Sequence, residues 1–159
     1  MLMTRKVCQY MMKNERGMSL LEVLAVLVIT FLIGSIAFGI LFNGFKTYER
    51  VKIEASLRDE ADLIMAELIG DLFVLKESEI DFSTNKYIKL DNGKQIGFID
   101  GEVHLDDTIY VIQNESIKIS DSTEIIDKGQ GQYKIILTLE WTENNQSLTT
   151  ESEIAIINR

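Results

Sequence analysis

Glu22 is the residue whose chemistry most needs explaining. From Met18 to Phe42 the chain runs 25 residues with Glu22 as its only charge. A carboxylate inside an apolar run is disfavoured, by a few kcal/mol at a bilayer centre and by less near an end. Two accounts fit. The side chain reaches up to the interface, or it waits for a cationic partner that arises later. Cleavage of the peptide bond after Gly17 would create one, the α-amino group of Met18. Glycine before the cut gives a protease close access to the backbone.

Other chemistry-bearing residues carry weaker signals. His104 is the only histidine, with no second histidine or Ser-His-Asp spacing to support it, so it reads as a surface or packed side chain. Asp106-Asp107, with Asp100 nearby, offers oxygen ligands for a hard cation, but the spacing fits no loop signature. Trp141 alternates with Leu139 and Leu137, which predicts a core position rather than a stacking platform. Cys8 is the only cysteine, so no intrachain disulfide forms. There is no glycine-rich phosphate loop. The pattern points away from an enzyme, and no metal or cofactor is expected.

These residues need elements to hold them. A helix of 25 residues at ~1.5 Å each is about 37 Å long, against a hydrocarbon core of ~30 Å. Arg5, Lys6, Lys13 and Arg16 against Glu15 give the first 17 residues a net +3, whereas the whole chain carries −9. Basic residues before a first membrane helix favour cytoplasmic retention, which puts the acidic remainder outside. Nucleic-acid contact is not expected of an acidic surface, because phosphate contacts need clustered Lys and Arg.

The helix is expected to continue past the apolar run. Phe45, Tyr48, Val51, Ala55, Leu57, Ala61, Ile64, Met65, Leu68, Ile69 and Leu72 recur mostly at spacings of three and four, one buried stripe of an amphipathic helix. Glu49, Arg50, Lys52, Glu54, Arg58, Asp59, Glu60, Asp62 and Glu67 read as its solvated face. Helix propensity stays high to Gly70 or Leu75, a total of roughly 55 residues.

After Glu77 the period becomes alternating. Strands are predicted at Tyr87–Leu90, Gln95–Ile99, Glu102–Leu105, Ile109–Ile112 and Ser116–Ile119, the last two around Asn114-Glu115. Asn92-Gly93 and Asp100-Gly101 are hairpin signals of the type I′ kind. Tyr133, Ile135, Leu137, Leu139 and Trp141 share one face of a strand that returns through Asn144-Asn145 into Leu148–Ile157. Asp121–Gln132 reads as a mobile loop. The expectation is an α+β chain with one antiparallel sheet packed on the helix.

Arg16-Gly17-Met18-Ser19-Leu20-Leu21-Glu22-Val23-Leu24 resembles the prepilin processing motif of type IV pilins and pseudopilins. A basic leader, Gly17 before the cut, hydrophobic Met18 after it, Glu22 at the fifth mature position and about twenty apolar residues all match. Met18 stands where the family usually has Phe.

The resemblance implies a leader (1–17), a transmembrane and filament-core helix (18–42), its amphipathic continuation (43–76) and an antiparallel β domain (77–159), the pilin-like plan. It implies cleavage between Gly17 and Met18 by a prepilin peptidase, N-methylation of Met18, and pairing of Glu22 with a terminal amine on assembly. Its partners would be membrane lipid before assembly, then other pilin or pseudopilin subunits and the inner-membrane assembly platform. The order of elements resembles minor pilins and minor pseudopilins. The absence of proline with abundant Ile, Lys, Asn and Glu fits a low-GC Gram-positive source. That ranks a competence pseudopilus for DNA uptake first, a type IV pilus for adhesion or twitching next, and a type II secretion pseudopilus after it. A signal-anchored extracellular binding module is the reading from another class.

Overall fold

A computed structural model describes residues 19–156 and divides the chain into two compact units, Met1–Thr47 and Tyr48–Arg159. One helix, α1 (Leu20–Val74, 55 residues), supplies the described part of the first unit beyond Ser19 and opens the second. With no proline anywhere, nothing in the sequence removes a backbone donor along its length. Ser19 caps it, accepting the Glu22 N–H on Oγ at 3.2 Å.

In the second unit α1 buries Leu57, Ala61, Ile64, Met65, Leu68 and Leu72. Apart from the adjacent Ile64 and Met65 these sit three or four apart, so one face of the helix meets the sheets. The predicted stripe is longer than the observed one: Phe45, Tyr48, Val51 and Ala55 are exposed, and burial begins with half-buried Ile53. Leu75 closes the helix end, and a 3₁₀ turn follows at Glu77–Glu79.

The strands form two sheets, not the single sheet expected. The first is an antiparallel meander of β1 (Ile80–Ser83), β2 (Tyr87–Leu90), β3 (Gln95–Ile99), β4 (Glu102–His104) and β5 (Ile109–Tyr110), in that order. The second comprises β6 (Ile117–Ile119), β7 (Glu124–Gly129), β8 (Gln132–Trp141) and β9 (Ser147–Ala155). β8 is its centre, pairing antiparallel with β6, β7 and β9. Ile88, Ile96 and Val103 of the meander and Ile125, Ile135, Leu137 and Leu139 of the second sheet join the helix residues in one core.

Further expectations change here. The strands read at Ile109–Ile112 and Ser116–Ile119 are shorter, and they belong to different sheets: β5 pairs with β4, and β6 with β8. The Asp121–Gln132 segment is not simply a loop, because β7 lies within it and buries Ile125 in the core. Asp100-Gly101 has both residues at positive φ as a type I′ turn requires, whereas at Asn92-Gly93 only the glycine does, so that turn is of another type.

The β1–β2 connection stitches the sheets together. Ser83 Oγ donates to Asp127 Oδ2 at 2.7 Å, the Ile125 N–H to the Asn85 carbonyl at 2.9 Å, and Lys86 Nζ to the carbonyls of Asp121 and Thr123, each at 2.6 Å. Gly97 allows the close approach. It sits at φ +141°, and a Cβ there would lie 2.4 Å from the Lys86 carbonyl oxygen.

Candidate functional site

The expected processing positions Gly17 and Met18 lie outside the described residues. The description begins two residues after the expected cut, where Ser19 caps the helix and Glu22 stands exposed in its first turn. Ser19-Leu20-Leu21-Glu22 also has the Ser-x-x-Glu spacing of a capping box, of which the Ser19 half is formed: its Oγ accepts the Glu22 N–H. A carboxylate in the first turn further opposes the positive end of the helix dipole.

Every Val, Leu, Ile and Phe from Leu20 to Phe45 is exposed. This helix is long and apolar enough to cross a membrane, and none of its most apolar window is buried. So extensive an apolar surface needs lipid or neighbouring chains around it. The described part of the first unit is therefore a contact surface with one carboxylate, Glu22, in its first turn.

The remaining candidates lie in the second unit. Asp106 and Asp107 converge on a cation already in the chain: Lys94 Nζ is 3.0 Å from Asp106 Oδ1 and 2.7 Å from Asp107 Oδ1. Hydrogen bonds to Asp107 first and Asp106 second raise the Lys94 pKa, keeping it charged. The Asp106 N–H donates to Asp71 Oδ2 at 2.8 Å, fixing the loop to α1. Asp100 takes no part in this cluster. Half-buried His104 has its Nε2 3.7 Å from the Glu102 carboxylate. Trp141, expected in the core, is half-buried with its indole N–H unbonded among the described residues.

Glu60 departs most from expectation. Placed on the solvated face by charge pattern, it is only 7% exposed and accepts a 3.0 Å hydrogen bond from the Tyr110 hydroxyl. Its spacing of three from Leu57 and four from Ile64 was the signal available, since those neighbours define the buried face.

No protein-family model, curated protein or solved structure matches this chain.

Proposed function

We propose that the chain is a minor subunit of a type IV pilus-like filament, processed by a prepilin peptidase and assembled from the membrane. The observation that carries this is the register of Gly17, Met18 and Glu22 ahead of an uninterrupted apolar helix. Support comes from the helix itself, which starts at Leu20, holds Glu22 in its first turn and exposes its apolar side chains from Leu20 to Phe45.

In this reading the leader stays cytoplasmic and the β-rich unit lies outside the cell membrane. The peptidase hydrolyses the Gly17–Met18 bond and frees a positive amine, which is then N-methylated. Until assembly, lipid covers the helix. On extraction by the assembly platform, helices of other pilin or pseudopilin subunits replace lipid, and Glu22 neutralises a terminal amine, its own or a neighbour's. Pairing matters because an isolated charge in an apolar surround costs far more than a compensated one. Among machines, the competence pseudopilus for DNA uptake ranks first, then an adhesive or motile type IV pilus, then a secretion pseudopilus. The acidic chain makes other subunits, rather than DNA, its expected direct contacts.

The test is the intact mass and N-terminal sequence of membrane-extracted protein, with and without a co-expressed prepilin peptidase. A mature chain beginning at Met18, or N-methyl-Met18, only when the peptidase is present supports the proposal. A leader retained through Gly17 in the native host overturns it in favour of an anchored extracellular binding module, for which the same exposed apolar helix would serve as the anchor.

A further inference from the structure

In the second unit the face of α1 opposite the core carries a heptad pattern. Lys52, Ser56 and Asp59 lead into Leu63, Ala66, Gly70 and Phe73, spaced alternately four and three. All but half-buried Ser56 are exposed, Leu63 by 54% and Phe73 by 57%. Neither Lys52 nor Asp59 has an ion-pair partner among the described residues; the ion pair along α1 is Arg58–Glu54. Gly70 is exposed in mid-helix. A Cβ there would meet nothing within 4 Å, yet glycine is the poorest helix former after proline.

A second helix explains these features together. Alternating spacings of four and three make the seam of a two-helix contact. We propose that this face pairs with the same face of a second copy of the chain, parallel and displaced by one heptad, about 10 Å along the axis. The displacement sets Lys52 of one copy against Asp59 of the other, Leu63 against Gly70, and Ala66 against Phe73. Each large side chain meets a small one, and the lone cation meets an anion. In-register pairing would set Lys52 on Lys52, Asp59 on Asp59 and Phe73 on Phe73. An antiparallel arrangement that joins Lys52 to Asp59 would bring Leu63, Ala66 and Gly70 opposite Tyr48, Phe45 and Leu41, which keeps apolar matches but runs the two helices in opposite senses, against two copies that enter one membrane the same way. The contact is heterologous, one copy offering Lys52 and the other Asp59. Its parallel sense accords with both copies being anchored in one membrane, and to that extent it rests on the proposed function.

The test is disulfide trapping of the full, uncleaved chain in phospholipid vesicles, with Cys8→Ser as background. A Leu63→Cys copy is mixed with a Gly70→Cys copy carrying a tag of different size, then mildly oxidised. The mixed disulfide should exceed the Leu63→Cys homodimer several-fold. Lys52→Asp on the Leu63→Cys copy should lower the mixed yield about fivefold, the loss of a favourable exposed pair. The same change on the Gly70→Cys copy should leave the yield unchanged. Asp59→Lys on the Gly70→Cys copy should restore the yield lost to Lys52→Asp on its partner. Equal homodimer and mixed yields, or no disulfide, overturn the stagger. Because trapping needs no cleavage, the two readings fail separately: a disulfide here together with a leader that stays attached when the peptidase is supplied would sink the filament reading alone, and a cut leader without a disulfide this one alone.

Discussion

The Tyr110 hydroxyl donates a 3.0 Å hydrogen bond to Glu60 Oε1, joining edge strand β5 to the helix across 50 residues of sequence. The bond gives a buried carboxylate a partner. Tyr110→Phe should remove it and cost about 1–3 kcal/mol, the penalty for an unsatisfied buried acceptor. Trp141, the only tryptophan, reports the urea midpoint by its fluorescence. A midpoint unchanged in Tyr110→Phe would refute the assignment.

The same pair predicts an alkaline limit. Burial first, then the bond to Glu60, raises the Tyr110 pKa to about 12 from 10.0. Because the fold holds the neutral phenol, this contribution is fully present below pH 10 and is lost as pH rises from 10 towards 12. Tyr133 is also shifted up, chiefly by burial, so the quantity to measure is the difference between wild type and Tyr110→Phe. That difference should shrink over this window; a constant difference would contradict the linkage.

Gly97→Ala should be among the most damaging single-methyl additions. The new Cβ would stand 2.4 Å from the Lys86 carbonyl oxygen and 2.7 Å from the Tyr87 Cα, at a φ that L residues rarely adopt. Backbone must move on both strands, for a loss of more than roughly 3 kcal/mol. Thermal unfolding of the purified chain checks it, and a melting point within a degree or two of wild type would show that β2 and β3 yield more readily than argued.

Thr123 bridges a break in the second sheet. Its fully buried Oγ1 donates to the Thr138 carbonyl at 3.1 Å and accepts the Thr138 N–H at 3.0 Å, between the places where β6 and β7 pair with β8. Thr123→Val keeps the shape and strands the Thr138 N–H, at a cost of about 1–3 kcal/mol. Hydrogen exchange at the Thr138 amide should accelerate more than at Leu137 or Leu139. Uniform acceleration along β8 would point to global destabilisation instead.

On the filament reading, Glu22→Ala should leave cleavage at Gly17–Met18 intact and lower the sheared, surface-assembled fraction sharply. Glu22→Asp should recover part of it. Full assembly of Glu22→Ala would show that the carboxylate serves the helix start alone.

The long helix was legible because its signals repeat: an apolar run of membrane length, then a period near 3.6, with no proline. The strands around β2, β3 and β8 were legible from alternation and from Asp-Gly and Asn-Gly turns. Two sheets were not. Which strand partners which depends on contacts distant in sequence, such as Ser83 with Asp127, that no local pattern encodes. β7 hid within a polar stretch because Ile125 is its one side chain buried in the core. Glu60 was misplaced because a charge-based reading sends carboxylates to solvent, and only the strand carrying Tyr110 explains why this one stays in. Gly17, Met18 and Glu22 are proposed from register alone, and the first two lie outside the described residues.

The central place of β8 carries a consequence for the order in which the chain is made. Leu57, Ile64, Leu68 and Leu72 leave the ribosome before the strand that completes their cover, and β8 is itself finished only when β9 reaches Ala155. A nascent or truncated chain ending before Gln132 therefore exposes a helix with one greasy side and a five-stranded meander with no second layer. Such a half-built core is sticky and must be shielded, by a holding chaperone or by speed. The stretch from Gln132 onward thus decides whether what comes before it stays folded.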